Sequence, residues 1–302
     1  MIGLSVGFIG LGNMGGRIAQ RLGGAGVEVR GFDLDQAAAG RVGAVAAQSV
    51  ASVAGASTLI LLSLPDSRAV ERVIYDDDGL LARARKGQII VDLSTAAPAS
   101  TRGISADFAA RGAFYLDAGV SGGAAAAESG TLTLMVGGDE EALEHAKPVL
   151  DRFAAKIFFL GPSGSGHTTK LLNNFLNAVA LSATAEVMVA ARAAGLDLAS
   201  VLDVLNASSG VNFATLNRFP RIITGDYLEG GLSNTLMLKD VTLYVELLAQ
   251  LRVASLNAAG PIASFGLARA LGYADAISNS VVDALGDISG GIRITPDGEE
   301  NS

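Results

Sequence analysis

Lys170 and Asn174 are the pair of side chains in this sequence best arranged to do chemistry. They open an Ala/Leu-rich run that continues to about Arg192. At helical period, residues four apart share one face, so an amine and an amide are aimed at a single point. The amine can give up or accept a proton, and the amide can hold a polar substrate group. Any helix can carry a Lys and an Asn on its solvated side. Here, however, the run begins at Gly164-Ser-Gly-His-Thr-Thr-Lys170, near the middle of the chain, where a change in composition points to the meeting of two domains.

The composition limits what such a face can serve. With 302 residues, half of them apolar and 17% charged, the chain is globular. It has no cysteine and two histidines, His145 and His167, so disulfides, thiolate catalysis and Cys- or His-rich metal sites are excluded. The net charge of −8 argues against a broad nucleic-acid footprint. No uninterrupted apolar run spans a bilayer, and the start carries neither a basic region nor a cleavage site. A soluble, cytoplasmic protein without membrane or nucleic-acid partners is expected.

The elements that must present something to Lys170 begin at the N-terminus. Leu4 to Ile9 reads as a buried strand, followed by Gly10-Leu11-Gly12-Asn13-Met14-Gly15, after which Met14, Ile18 and Leu22 recur at helical spacing. Glycines at a strand-to-helix turn permit close approach of a pyrophosphate, and the free N–H groups at the helix start attract its charge. Val27 to Phe32 is a second strand, ending in Asp33 about twenty residues beyond the glycines, where an acid accepts the adenosine ribose hydroxyls. A carboxylate there repels a 2′-phosphate, and neither Arg30 nor Arg41 is placed to clamp one. NAD is therefore expected as cofactor, ahead of NADP.

Further strands are expected at Thr58 to Leu64, Gln88 to Leu93, Phe114 to Asp117 and Lys156 to Leu160, with helices at Pro98 to Arg111 and Glu140 to Leu150. Ligands bind outside the carboxyl ends of strands in such a sheet, so Leu64-Pro65 and Ser94-Thr95 are candidate walls of the dinucleotide site. Ser121-Gly122-Gly123 can offer a hydroxyl and two successive N–H groups to a substrate carboxylate. Alternating strand and helix signals argue for a doubly wound α/β domain over residues 1–162. From residue 163 to 302 strand signals largely vanish and helices are expected throughout, beginning with the long helix that carries Lys170. Ser208 to Asn217 reads as a polar loop or part of a substrate pocket, and Ile292 to Ser302 as a frayed tail.

Four stretches carry a family resemblance. Phe8-Ile-Gly-Leu-Gly-Asn-Met-Gly-Gly-Arg-Ile-Ala19, Asp117-Ala-Gly-Val-Ser-Gly-Gly123, Gly164-x-Gly-x-x-x-Lys170-x-x-x-Asn174 and Lys239-Asp240 resemble the signatures of the β-hydroxyacid dehydrogenases, in order and over nearly the whole chain. The resemblance implies a Rossmann-type domain, an all-α C-terminal domain of the 6-phosphogluconate dehydrogenase kind, and an active site in the cleft between them. It implies hydride transfer between NAD and a small β-hydroxy acid of the 3-hydroxyisobutyrate type, with Lys170 as general acid and base and Asn174 beside it. Ser121, Gly122 and Gly123 would anchor the substrate, while Leu64, Pro65, Thr95 and Lys239 would touch the cofactor. A homodimer or homotetramer is implied as well. The chain departs from the family at Gly119, where proline is usual, a change in the stiffness of the anchor rather than in its chemistry. The competing readings are an NADPH-dependent aldehyde or imine reductase on the same scaffold, against which Lys170 and Asp33 count, and a non-catalytic dinucleotide-binding protein.

Overall fold

The computed structural model describes residues 5–228 and 230–295; Leu4 and the part of the expected tail over 296–302 lie outside them. The chain divides into two compact units, Met1–Lys170 and Leu171–Ser302. Among the described residues the first unit holds one sheet of eight strands. These are β1 (Ser5–Ile9), β2 (Glu28–Phe32), β3 (Val45–Ala46), β4 (Leu59–Leu62), β5 (Ile89–Asp92), β6 (Phe114–Ser121), β7 (Leu132–Gly137) and β8 (Ala154–Phe159). Their spatial order is β3-β2-β1-β4-β5-β6-β7-β8. All neighbours pair in parallel except β6 and β7. Strand order reverses between β1 and β4, which is where a doubly wound sheet opens a crevice for a ligand.

The strands read as continuous apolar runs because both faces of the sheet are covered. Successive side chains alternate between faces: Leu61 joins Phe8, Ile18 and Phe153 in one core, whereas its neighbours Ile60 and Leu62 join Ile74 and Phe108 in the other. Several elements are not among those expected from the sequence, β3, β7 and the helix Gly123–Ser129 among them. The two-residue strand β3 is too short to show a period, and the alanine run after Ser121 forms the helix Gly123–Ser129 that lets β7 return antiparallel to β6.

The second unit is helical, as expected. Its core gathers Phe175, Leu181 and Met188 of the helix Ser165–Ala193 with Phe219, Met237 and Phe265. That helix is long and apolar enough to cross a membrane by length and composition. Its inward face is packed in this core, as in the central helix of a folded domain. The stretch Ser208 to Asn217 differs from expectation, since half of it is the short helix Phe213–Asn217. Asn212 is its N-cap: its side chain accepts from the N–H groups of Ala214 and Thr215, and the Thr215 side chain accepts in return from the Asn212 N–H. Capping explains the polar residues there, which sequence alone assigned to a loop or pocket.

The start of the helix Ser165–Ala193 is seated on β6. Buried Asp117 accepts hydrogen bonds from the N–H groups of Gly164 and His167, both at 2.8 Å. Gly166 lies so close to the sheet that a Cβ there would stand 2.3 Å from the Met135 carbonyl oxygen and 2.5 Å from that of Asp117. Both obstacles are backbone, so Gly166→Ala is expected to destabilise the protein by about 1–3 kcal/mol, read as a lowered urea midpoint at unchanged slope.

Candidate functional site

The glycine turn after β1 has the shape a dinucleotide requires. Gly10 has a φ of 90°, and a Cβ there would collide with the Ser63 carbonyl oxygen after β4; one on Gly15 would collide with the carbonyl oxygen of Gly10. By contrast, a Cβ on Gly12 would meet nothing within 4 Å. Gly10 and Gly15 therefore permit the protein's own packing, whereas Gly12 faces open space. No side chain caps the helix Asn13–Gly24 that follows, and a helix start is where backbone N–H groups can serve an anion. Leu11, Gly12 and Asn13 line a depression at this point.

Asp33 is brought to the turn from the end of β2. Its carboxylate accepts from the Leu11 N–H at 2.7 Å and from the Asp35 N–H at 2.8 Å, leaving further acceptor capacity for ribose hydroxyls. Arg41 is engaged with Asp35, whose carboxyl it holds below the usual range, and Arg30 faces Glu28. Leu64 follows β4 and is tied to β5 through its N–H, which donates to the Ser94 hydroxyl at 2.9 Å; Pro65 and Thr95 adjoin this pair. The residues from Gly10 to Gly15, with Asp33, Leu64, Pro65 and Thr95, thus gather at the carboxyl ends of β1, β2, β4 and β5. They fit a dinucleotide.

Lys170 lies against β6, the parallel neighbour of β5. A Cβ on Gly119 would stand 2.5 Å from the Cβ of Lys170 and 3.0 Å from its Cγ, so the lysine stem fills the place of the missing side chain. Residues two apart in a strand share a face. Asp117, Gly119 and Ser121 consequently form one row on β6: the first caps the helix, the second receives Lys170, and the third offers a hydroxyl. Gly122 and Gly123 follow with φ of 128° and 70°.

His167, one turn before Lys170, is not available as a base. It is fully buried, with Nδ1 2.8 Å from the Thr101 hydroxyl and Nε2 3.3 Å from the Asp92 carbonyl oxygen. A carbonyl only accepts, so in the neutral ring Nε2 carries the hydrogen and Nδ1 accepts from Thr101. The Asp92 carboxylate in turn accepts from the Tyr115 hydroxyl at 2.7 Å and from the Ser94 N–H at 3.0 Å. Burial and the adjacent Asp92 charge push the Tyr115 hydroxyl well above the usual phenol range, which keeps it a donor.

In the second unit Asn174 is buried, and its amide nitrogen donates to the carboxylate of Asp240. The other carboxylate oxygen of Asp240 lies 3.0 Å from Nζ of Lys239. Asp240, on the helix Asn234–Leu251, is 1% exposed. It fixes the Asn174 amide with nitrogen toward the carboxylate, and the carbonyl oxygen accepts from the Asn173 amide nitrogen at 3.3 Å with a second lone pair to spare.

The profile of the NAD-binding domain of 6-phosphogluconate dehydrogenase matches residues 5–161, and that described as NAD-binding of NADP-dependent 3-hydroxyisobutyrate dehydrogenase matches residues 164–285. The chain is 41% identical to an NAD-dependent L-serine dehydrogenase of Pseudomonas aeruginosa over 80% of its own length and 84% of the relative's. It is 37% identical to 2-(hydroxymethyl)glutarate dehydrogenase of Eubacterium barkeri over 80% and 82%. The solved structure of Mycobacterium tuberculosis 3-hydroxyisobutyrate dehydrogenase with L-serine superposes with a TM-score of 0.82 at 30% identity, over 94% of this chain and 99% of that one. The chain belongs to the β-hydroxyacid dehydrogenase family. It is an NAD-dependent oxidoreductase of hydroxy acids.

Among β-hydroxyacid dehydrogenases its Gly119 takes on a definite meaning. The residue lies inside β6, paired opposite Met135 of β7, so the antiparallel ladder rather than a proline ring holds the anchor extended. Neither Asp117 nor Asp240 has a role legible in the sequence. The available signal for Asp117 and for Asp92 was a lone carboxylate ending an apolar strand. The contrast among the glycines yields an expected outcome: Gly12→Val should raise the dissociation constant for NAD at least tenfold in a calorimetric titration, with the melting temperature little changed. Gly15→Val should instead lower the melting temperature.

Proposed function

We propose that the substrate is a small β-hydroxy acid of the 3-hydroxyisobutyrate type and that Lys170 moves the proton. The observation that carries this reading is the row on β6, where the Lys170 stem rests on Gly119 two residues from Ser121. A substrate carboxylate bound by the Ser121 hydroxyl and the N–H groups of Gly122 and Gly123 would hold the hydroxyl-bearing carbon of a three-carbon acid near the amine. Residues Gly10 to Gly15 with Asp33, Leu64, Pro65 and Thr95 would hold NAD, which would supply the hydride acceptor. Lys170 takes the hydroxyl proton in oxidation and returns it in reduction. As a base it must first be neutral. In this reading the second lone pair of the Asn174 carbonyl oxygen accepts from the substrate hydroxyl or from the amine.

The relatives named above support the substrate class, since each acts on an acid bearing a hydroxymethyl group. In this reading the helical unit carries substrate selection and assembly into a homodimer or homotetramer, and the enzyme works in the cytoplasm. Positioned acid–base groups contribute about 10² to 10⁴ in rate. Lys170→Ala should lower kcat for 3-hydroxyisobutyrate by that factor while leaving the dissociation constant for NAD within about twofold. Absorbance of reduced nicotinamide reads the first and calorimetry the second. A variant of near wild-type activity would remove Lys170 from the mechanism.

A further inference from the structure

Arg218 is a cation without a counter-charge. Its Nη1 donates to the Asn279 side-chain oxygen at 2.6 Å and its Nη2 to that of Asn177 at 3.1 Å, both neutral amides. Among the described residues no carboxylate stands within 4.0 Å of it. Asn279 is itself buried and anchored, its amide nitrogen donating to the Tyr227 carbonyl oxygen at 2.8 Å. The guanidinium carbon lies 5.8 Å from the centroid of the largely exposed Phe213 ring, whose face favours a cation. Burial alone pushes the Arg218 pKa down, to about 10, which still leaves it charged near neutrality. A guanidinium has five donors in a planar fork matched to a carboxylate, and two of them are accounted for here.

The position of this charge gives it a use. Asn177 is three residues after Asn174 and seven after Lys170 on the helix Ser165–Ala193, so the three side chains form an i, i+4, i+7 stripe on one face.

We propose that Arg218 is a specificity-determining residue that binds a second carboxylate of the substrate, making hydroxy diacids the favoured class. This rests on the reading of Lys170 as the proton-transfer group, and deepens it. 3-Hydroxyisobutyrate and 2-(hydroxymethyl)glutarate are the paired probes, because they share the reacting hydroxymethyl end and differ in that the methyl becomes a two-carbon arm ending in a carboxylate. In the wild type, kcat/KM for the diacid should exceed that for the monoacid by about tenfold or more, mainly through KM, as a charge-assisted contact provides. Arg218→Gln should collapse that ratio toward one and Arg218→Lys should restore part of it. A purely structural Arg218 would lower both substrates together and leave the ratio unchanged, which overturns the proposal, as does a wild type that does not favour the diacid. Binding of glutarate against isobutyrate to the NAD-loaded protein, by calorimetry, decides the point independently of turnover. Tighter glutarate binding that Arg218→Gln abolishes supports the subsite even if neither hydroxy acid is oxidised, a result that would count against the Lys170 reading alone. Equal binding of the two acids overturns the subsite.

Discussion

The two hydrogen bonds that Asp117 accepts from the N–H groups of Gly164 and His167 set the starting point of the longest helix in the protein. A helix begins with N–H groups that have no partner inside it, and its N-terminal end carries partial positive charge. A buried carboxylate answers both at once. Once that start is fixed, the helical period fixes the direction of every later side chain. Lys170 falls on Gly119, two residues beyond the capping aspartate, and Asn174 and Asn177 follow on the same stripe. One strand thereby holds the helix, receives the stem of the lysine and ends at Ser121.

This arrangement requires a buried polar layer, and the layer is fully paired where it matters. Tyr115, Asp92, His167 and Thr101 form a chain in which each group has a donor or acceptor opposite it. Within a low-dielectric interior such chains hold geometry firmly when complete and cost much when broken. Both ring nitrogens of His167 are consumed by it. The second histidine of the sequence, His145, has its Nδ1 against the backbone oxygen of Glu141 on its own helix.

The helical unit applies the same device differently. Asp240 spends its two oxygens on Asn174 and Lys239, turning a residue pair adjacent in sequence into a bracket for a residue 66 positions away. Asn234 does comparable work away from any proposed chemistry, its amide donating to Tyr273, Ala276 and Ser280. Arg218 stands apart from these because its partners are amides, so its charge is held in place and left uncompensated.

Much of this molecule was legible in one dimension because the relevant physics is local. Apolar runs of strand length, glycines at a strand-to-helix turn, an acid at the end of the second strand and a helical stripe through Lys170 and Asn174 are set by φ/ψ preference and side-chain period. The two-residue strand β3, the antiparallel return of β7 and the short helix at Phe213 left weaker traces, since pairing partners and a capping box decided them. Tertiary structure alone gave roles to Asp117, Asp240, His167 and Arg218. A carboxylate or guanidinium looks the same in sequence whether it faces water or a buried N–H group. Only the fold determines which polar atoms lose their water, and therefore which must find a partner.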